Sequence, residues 1–112
     1  MKYDIKIDKY GNKYYYLNNV LHREDGPAKE FVSGSKFWYK HGKFHREDGP
    51  AIEWVQGAKE WYQNGELHRE DGPAIEFDDS RKQWFLNNTY YGKNNDFTIK
   101  SWKKFIKTLI FS

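Results

Sequence analysis

The heptapeptide HREDGPA occurs at residues 22–28, 45–51 and 68–74, and each copy begins 23 residues after the one before it. A fixed period of this length is typical of repeat proteins, in which one supersecondary unit stacks on the next. The chain is therefore read as a single repeat domain over 1–112. Its parts are a first divergent unit at 1–28, repeats at 29–51 and 52–74, a divergent last unit at 75–93 and a terminal helix at 95–111.

The composition favours a folded domain built on aromatic side chains. Of the 112 residues, 22 are Phe, Trp or Tyr, although the mean hydropathy is −1.07. Disordered chains are poor in aromatic residues, so the negative hydropathy does not indicate disorder here. The chain has no cysteine, which excludes disulfides and thiolate metal sites.

Equivalent positions of the units form three columns of rings. They are Phe31, Trp54 and Phe77; then Tyr15, Trp38, Trp61 and Trp84; and finally Tyr16, Tyr39, Tyr62 and Phe85. Runs such as AIEW at 51–54 and KEWY at 59–62 lie on either side of a glycine turn and predict two strands per unit. The fold class is therefore mainly β, an elongated twisted antiparallel sheet of stacked β-hairpin repeats.

Two turn signals punctuate each unit. Asn64-Gly65, and His41-Gly42 one unit earlier, suit a tight turn with positive backbone dihedrals. The DGP tripeptide is expected to close the unit, with its glycine in a left-handed conformation.

The two ends of the chain should differ from the repeats. KYDIKI at 2–7 predicts an amino-terminal edge strand. Near the carboxyl end, apolar residues follow helical spacing, and Asn95, Asp96 or Thr98 could cap the helix. This helix is expected to cover the last hairpin or one face of the sheet with its apolar stripe: Trp102, Phe105, Ile106, Leu109 and Ile110.

The patterns Tyr39-x-x-Gly42-x-x-His45 and Tyr62-x-x-Gly65-x-x-His68 resemble the MORN repeat, in its divergent form with the signature LHREDGPA. The resemblance covers about residues 5–92 and implies a virus-encoded protein of bacteriophage or giant-virus type. It also implies an elongated sheet of hairpins used for protein association. Ordinary MORN units place Gly after the His, whereas Arg23, Arg46 and Arg69 stand here, so their lipid-binding role is not carried over.

The HRED residues are expected to stabilise the stack and not to catalyse a reaction. Catalysis needs one asymmetric pocket, whereas this cluster recurs in equivalent surroundings, so no catalytic, cofactor or metal residue is assigned. Arg46 is expected to pair with Glu24 or Asp25, and Arg69 with Glu47 or Asp48. The histidines are expected to satisfy turn carbonyls or to stack on a ring. The structural set is His22, His45, His68, Asp25, Asp48, Asp71, Gly26, Gly49, Gly72, Trp38, Trp61 and Trp84.

The function predicted from these features is a non-enzymatic protein-binding module. The expected biological role is inhibition of a host defence protein in the host cytoplasm, and self-association is a further use of the same surface. The amino terminus lacks the apolar run of a signal peptide, and no segment has transmembrane length. The candidate partner contacts are Tyr16, Tyr39, Tyr62, Phe85, Arg23, Arg46 and Arg69.

Two alternatives stay open. The first is a protein that binds nucleic acid or a nucleotide signal, in which aromatic rings stack on bases while the repeated arginines and the lysines of the last segment contact phosphates. Residues 93–112 hold five Lys against one Asp. A hydrolase or nuclease that uses the HRED residues is the other alternative. The candidate anion contacts are Lys100, Lys103, Lys104 and Lys107.

Overall fold

Each repeat folds as two short hairpins joined at a tryptophan, as seen in a computed structural model that describes residues 2–110. The fold is mainly β with one carboxyl-terminal α-helix, and it measures 47 × 31 × 18 Å along its principal axes. The predicted fold class, an elongated stack of antiparallel hairpins capped by a helix, is confirmed.

The strands are short because each hairpin contributes only a few paired residues. In chain order they are β1 (Asp4–Ile7), β2 (Lys13–Leu17), β3 (Val20–Leu21), β4 (Lys29–Glu30), β5 (Lys36–Phe37), β6 (Tyr39–Lys40), β7 (Lys43–Phe44), β8 (Ile52–Glu53), β9 (Lys59–Glu60), β10 (Tyr62–Gln63), β11 (Glu66–Leu67), β12 (Ile75–Glu76), β13 (Lys82–Leu86) and β14 (Thr89–Lys93). A 3-10 turn at Asn94–Asp96 leads to the helix α1 (Ile99–Ile110).

One sheet runs the length of the molecule in the order β1-β2-β4-β5-β8-β9-β12-β13-β14, with β3 paired to β2 at one side. Each repeat therefore adds two neighbouring strands to this main sheet. The other two strands of a repeat form a small side hairpin, β6-β7 or β10-β11. All pairings are antiparallel.

The prediction of two strands per repeat is wrong, because the second aromatic run is split at Trp38 and a return strand follows it. The backbone N–H of Trp38 donates to Ala51 O at 2.7 Å, whereas its carbonyl accepts from His45 N at 3.1 Å. Trp38 thus belongs to the main sheet on one side and to the side hairpin on the other. Trp61 repeats this geometry with Ala74 and His68.

The side hairpins turn at the predicted dipeptides. His41 and Gly42 have φ angles of 51° and 79°, and Asn64 and Gly65 have 51° and 83°. Two successive positive φ angles are the geometry of a type I′ turn, in which Asn and Gly are favoured. The prediction for this turn is confirmed.

The helix packs on the last unit. Trp102 is fully buried beside Trp84, with ring centroids 5.3 Å apart, and Phe97 lies against both rings. Thr98 Oγ1 accepts from Ser101 N at 3.0 Å, so Thr98 is the helix cap among the predicted candidates. The helix begins at Ile99 and not at 95, and the predicted end at 111 lies outside the described residues.

Candidate interaction face

The arginine side chain of each HREDGPA motif stacks on a ring of the second column and bonds to other residues of its own motif. The guanidinium carbon of Arg46 is 3.8 Å from the ring centroid of Trp38. Its Nε donates to Asp48 Oδ1 at 3.2 Å, and its Nη1 donates to the carbonyl of Pro50 and to Glu53 Oε2, both at 3.1 Å. The same arrangement joins Arg69 to Trp61, Asp71, Pro73 and Glu76, and Arg23 to Tyr15, Asp25, Pro27 and Glu30.

The predicted pairing of each arginine with the acids of the preceding motif is wrong. Each arginine pairs with the aspartate of its own motif and with a glutamate in the first strand of the next unit. Sequence reasoning missed these glutamates, although Glu30, Glu53 and Glu76 recur with the repeat period. An ion pair with a preceding motif is instead made by Lys40, whose Nζ lies 3.4 Å from Glu24 Oε2.

The motif glycine makes room for the arginine. A Cβ built on Gly49 would lie 3.0 Å from Cζ of Arg46, and one on Gly72 would lie 2.7 Å from Cζ of Arg69. The predicted left-handed conformation at the motif glycines is wrong, since the positive φ angles within 2–110 occur at other glycines. These glycines are needed because the guanidinium packs directly on the backbone.

The motif histidine ties one unit to the next. His45 Nδ1 accepts a hydrogen bond from the backbone N–H of Asn64 at 2.9 Å, and its Nε2 lies 2.5 Å from Glu47 Oε1. Because the backbone N–H can only donate, the proton of the neutral ring is on Nε2 and points to the carboxylate. Histidine thus bonds to a turn N–H and not to a turn carbonyl, whereas the predicted contact with a ring is present at His22, whose ring centroid lies 4.5 Å from that of His41. The other two links join His22 to His41 and Glu24, and His68 to Asn87 and Glu70.

The acidic side chains of each motif lie on its solvent-exposed side. Glu47 and Asp48 are 72% and 88% exposed, whereas the side chains of His45 and Arg46 behind them are only 8% and 22% exposed. In the first motif, the hydrogen bond from His22 and the nearby Lys40 hold the pKa of Glu24 below its ordinary value of 4.5. The histidine and arginine of the motif therefore face inward, and its carboxylates face solvent.

Two equivalent clefts lie between successive motifs. The first, of about 590 Å³, is bounded by the motifs that begin at His22 and His45, with Trp38 and Lys40 between them. The second, of about 790 Å³, is bounded by the next pair of motifs, with Trp61 and Gln63 at the matching positions. Lys40 and Gln63, which sequence reasoning did not select, are what distinguishes one cleft from the other. We call the surface that carries both clefts the motif face.

The third-column rings lie away from the arginines with which they were grouped. Tyr16, Tyr39, Tyr62 and Phe85 are half-buried. Tyr39 and Tyr62 pack on Phe44, with centroid distances of 4.4 and 5.1 Å, whereas Arg46 packs on Trp38. Burial raises the pKa of Tyr62 well above its ordinary value of 10.0, and Glu60, which accepts from its hydroxyl at 3.0 Å, raises it further.

The candidate anion contacts are on a different element. Lys100, Lys103, Lys104 and Lys107 are all exposed on α1, whose apolar side packs against the last unit. They do not line either cleft of the motif face. The structure therefore separates a cationic helix surface from a motif face edged by carboxylates.

The chemistry open to the motif face follows from these contacts. Both ring nitrogens of each motif histidine are engaged in hydrogen bonds, so a proton transfer to a bound molecule would first break a link in the stack. Over residues 2–110, no three His, Asp or Glu side chains converge as ligands of a metal ion would.

Within the described chain, α1 is neither long nor apolar enough to span a bilayer. Comparisons with protein-family models, with curated proteins and with solved structures gave no match to this chain.

Proposed function

We propose that the protein is a non-enzymatic binding module whose motif face holds an extended protein segment that carries Lys or Arg side chains. The observation that carries this proposal is the pair of clefts, each edged by exposed carboxylates whose motif arginines are turned inward; in the first cleft Lys40 already pairs with Glu24. A partner cation would meet acids that are fixed in place by Arg and His, so little side-chain freedom is lost on binding.

The repeat sets the spacing of the partner's charges. Each unit adds two strands to the main sheet, and neighbouring strands lie about 4.8 Å apart, so equivalent carboxylates recur at about 10 Å. A segment in the polyproline II conformation advances about 3.1 Å per residue with three residues per turn, so side chains three residues apart face the same way and match one unit. The partner segment should present a cationic side chain at every third residue.

Affinity should come from several ion pairs formed in adjoining clefts more than from any single ion pair. An exposed ion pair contributes about 0–1 kcal/mol, which is too little to hold a partner alone. Two adjoining clefts on one rigid sheet let a second contact form at a high effective concentration. The carboxylates also repel phosphate groups, which favours a protein over a nucleic acid as the ligand of this face.

The test compares two short peptides of identical composition, one with lysine at every third residue and one with its lysines contiguous. Fluorescence anisotropy should show tighter binding of the spaced peptide. The variant Glu47→Gln/Asp48→Asn should weaken that binding about fivefold or more, because it removes charge from both clefts while the amide oxygens still accept from His45 and Arg46.

The matched control is Glu66→Gln/Asp78→Asn, which removes two exposed acids that line neither cleft. It should bind the spaced peptide as the unaltered protein does. Equal affinity for both peptides, or equal losses in the two variants, would overturn the proposal. Retention of an oligonucleotide that is lost on Lys103→Gln/Lys107→Gln would also count against it and would favour the helix as the binding surface.

The biological role that we propose is inhibition of a host defence factor by a virus-encoded protein, and the resemblance to virus-encoded repeat proteins supports it. A defended bacterium that expresses the chain should then be infected more efficiently by phage. The variant Glu47→Gln/Asp48→Asn should lose this effect while Glu66→Gln/Asp78→Asn keeps it. Unchanged plating efficiency with the unaltered protein would contradict this role.

A further inference from the structure

The amino-terminal strand β1 is an open edge of the main sheet. All four of its residues are exposed, and its apolar side chains Ile5 and Ile7 are 50% and 61% exposed. β1 pairs with β2 on one side and ends the strand order on the other. An exposed apolar edge of this kind is a template for pairing with another strand.

The register shows which backbone groups face outward. Asp8 N donates to Asn12 O at 3.1 Å, and this bonded position continues the register in which Lys6 is opposite Tyr14 and Asp4 opposite Tyr16. Bonded and non-bonded positions alternate in an antiparallel pair, so the N–H and C=O groups of Ile5 and Ile7 point away from β2. Tyr15, opposite Ile5, accordingly directs its N–H to Ala28 O at 2.8 Å.

We propose that two copies of this chain associate through antiparallel pairing of their β1 strands, centred on Ile5. In this register Ile5 of each copy exchanges both backbone hydrogen bonds with Ile5 of the other. Asp4 of each copy lies opposite Lys6 of the other, which gives two ion pairs around a twofold axis. The two ten-stranded sheets would then be continuous.

Charge complementarity selects this register from its neighbours. Shifting the centre to Lys6 would place the two Lys6 side chains opposite each other and Asp4 opposite Asp8. Shifting it to Ile7 would use Asp8, whose carboxylate is already engaged by Tyr10 N, Asn12 and Tyr14. Of these three registers, only the one centred on Ile5 places both Asp4 and Lys6 opposite an opposite charge; the ammonium of Lys6 also lies 5.0 Å from the centroid of the Tyr16 ring.

The other end of the sheet is closed to such pairing. β13 and β14 shift register between Trp84 and Phe85, and Lys93 N donates to Asp96 Oδ2 at 2.8 Å. Gly92 is buried, with Asp96 and Phe97 packed over it. Pairing at β1 alone produces a closed dimer and not a filament.

Cysteine cross-linking tests the register, because the chain has no cysteine of its own. Opposed bonded residues have Cα atoms about 5.5 Å apart, within the range that a disulfide spans. Under mild oxidation Ile5→Cys should form a covalent dimer faster than Ile7→Cys. Random collision would favour the more exposed position 7, so equal rates or faster linking at 7 would overturn the proposal.

Charge exchange tests the same contact without a covalent bond. By sedimentation velocity, Asp4→Lys and Lys6→Asp should each lose the self-association of the unaltered chain, because like charges then face each other. An equimolar mixture of the two variants should recover it, since each acid again faces a lysine. Circular dichroism checks that both variants are folded. A monomeric unaltered chain at millimolar concentration, or a mixture that stays monomeric, would overturn the proposal.

Discussion

The indole N–H of Trp102 donates to the carbonyl oxygen of Arg69 at 2.9 Å. One unit earlier the side-chain amide of Gln63 makes the matching bond to the carbonyl of Arg46, also at 2.9 Å. The helix thus supplies to the third motif a contact that the following repeat supplies to the second. Trp102 also covers Trp84, the second-column ring that has no motif arginine stacked on it. The helix therefore makes with the last repeat the same hydrogen bond that one repeat makes with the next.

Trp102 is the first residue to test. The variant Trp102→Ala should lower the free energy of unfolding by about 3–5 kcal/mol, because it empties a fully buried site and leaves the Arg69 carbonyl without its donor. Urea denaturation followed by circular dichroism measures the change. Lys103→Ala, at the adjacent exposed position, should change stability by less than about 0.5 kcal/mol. A similar effect of both substitutions would contradict this account of the cap.

The motif glycine and arginine can be tested as a coupled pair. Gly72→Ala should cost about 1–3 kcal/mol, because its Cβ would meet the guanidinium of Arg69, which is held against Trp61 and cannot retreat. In the double variant with Arg69→Ala the added methyl group has space, so the two costs should not add. A double-mutant cycle from urea denaturation measures the coupling. Strictly additive costs would show that the glycine serves another purpose.

The sequence predicted the features that depend on local chemistry and periodicity. The Asn64-Gly65 turn, the cap at Thr98 and the packing of Trp102, Phe105 and Ile106 each follow from residue type and spacing alone. The predicted apolar stripe of α1 is covered only in part, since Leu109 and Ile110 are 38% and 70% exposed. The open strand at the amino end was likewise predicted, and it is present as Asp4–Ile7.

The sequence did not predict the features that depend on how neighbouring units pack against each other. Alternation of side chains is the same whether a strand is continuous or is split at Trp38, since only the backbone partners differ. Arg46 has acids before and after it along the chain, and its selection of Glu53 depends on how the next unit folds back. Gly49 lies in a DGP tripeptide typical of a turn, so its contact with a guanidinium leaves no local signal.

The three histidine links differ in burial and so provide a graded test. Each motif histidine is to be replaced by phenylalanine, which keeps a ring and removes the acceptor for the next unit's N–H. The free energy of unfolding should fall by about 1–3 kcal/mol at His22, which is 1% exposed. The loss should be smaller at His45 and smallest at His68, which are 8% and 15% exposed. Water can replace the lost acceptor more readily at the more exposed sites.

Thermal denaturation of the three phenylalanine variants measures this order. His41→Asn separates ring packing from the hydrogen bond at His22, because it keeps the backbone N–H that donates to His22 Nδ1 and removes the ring that lies 4.5 Å from the His22 ring. It should lower the free energy of unfolding by less than His22→Phe does. Equal or reversed losses among the motif histidines, or a larger loss in His41→Asn than in His22→Phe, would contradict the hydrogen-bonding role.

Tyr62 should make the protein sensitive to alkali. Its pKa is raised in the folded state by burial and by Glu60, so above its ordinary value of 10.0 the unfolded chain loses a proton that the folded chain keeps. The contribution of Tyr62 to the free energy of unfolding is therefore fully present below pH 10 and is lost as the pH rises further. The pKa values of Tyr14, Tyr15 and Tyr39 are also raised, so tyrosinate absorbance should show one fewer late-titrating group in Tyr62→Phe than in the unaltered protein. The variant's stability should fall less than that of the unaltered protein as the pH rises above 10.

Tyr10→Phe, at a site 70% exposed, should keep every late-titrating group. An unchanged late amplitude in Tyr62→Phe, or an equal loss in Tyr10→Phe, would contradict the burial of the Tyr62 hydroxyl beside Glu60.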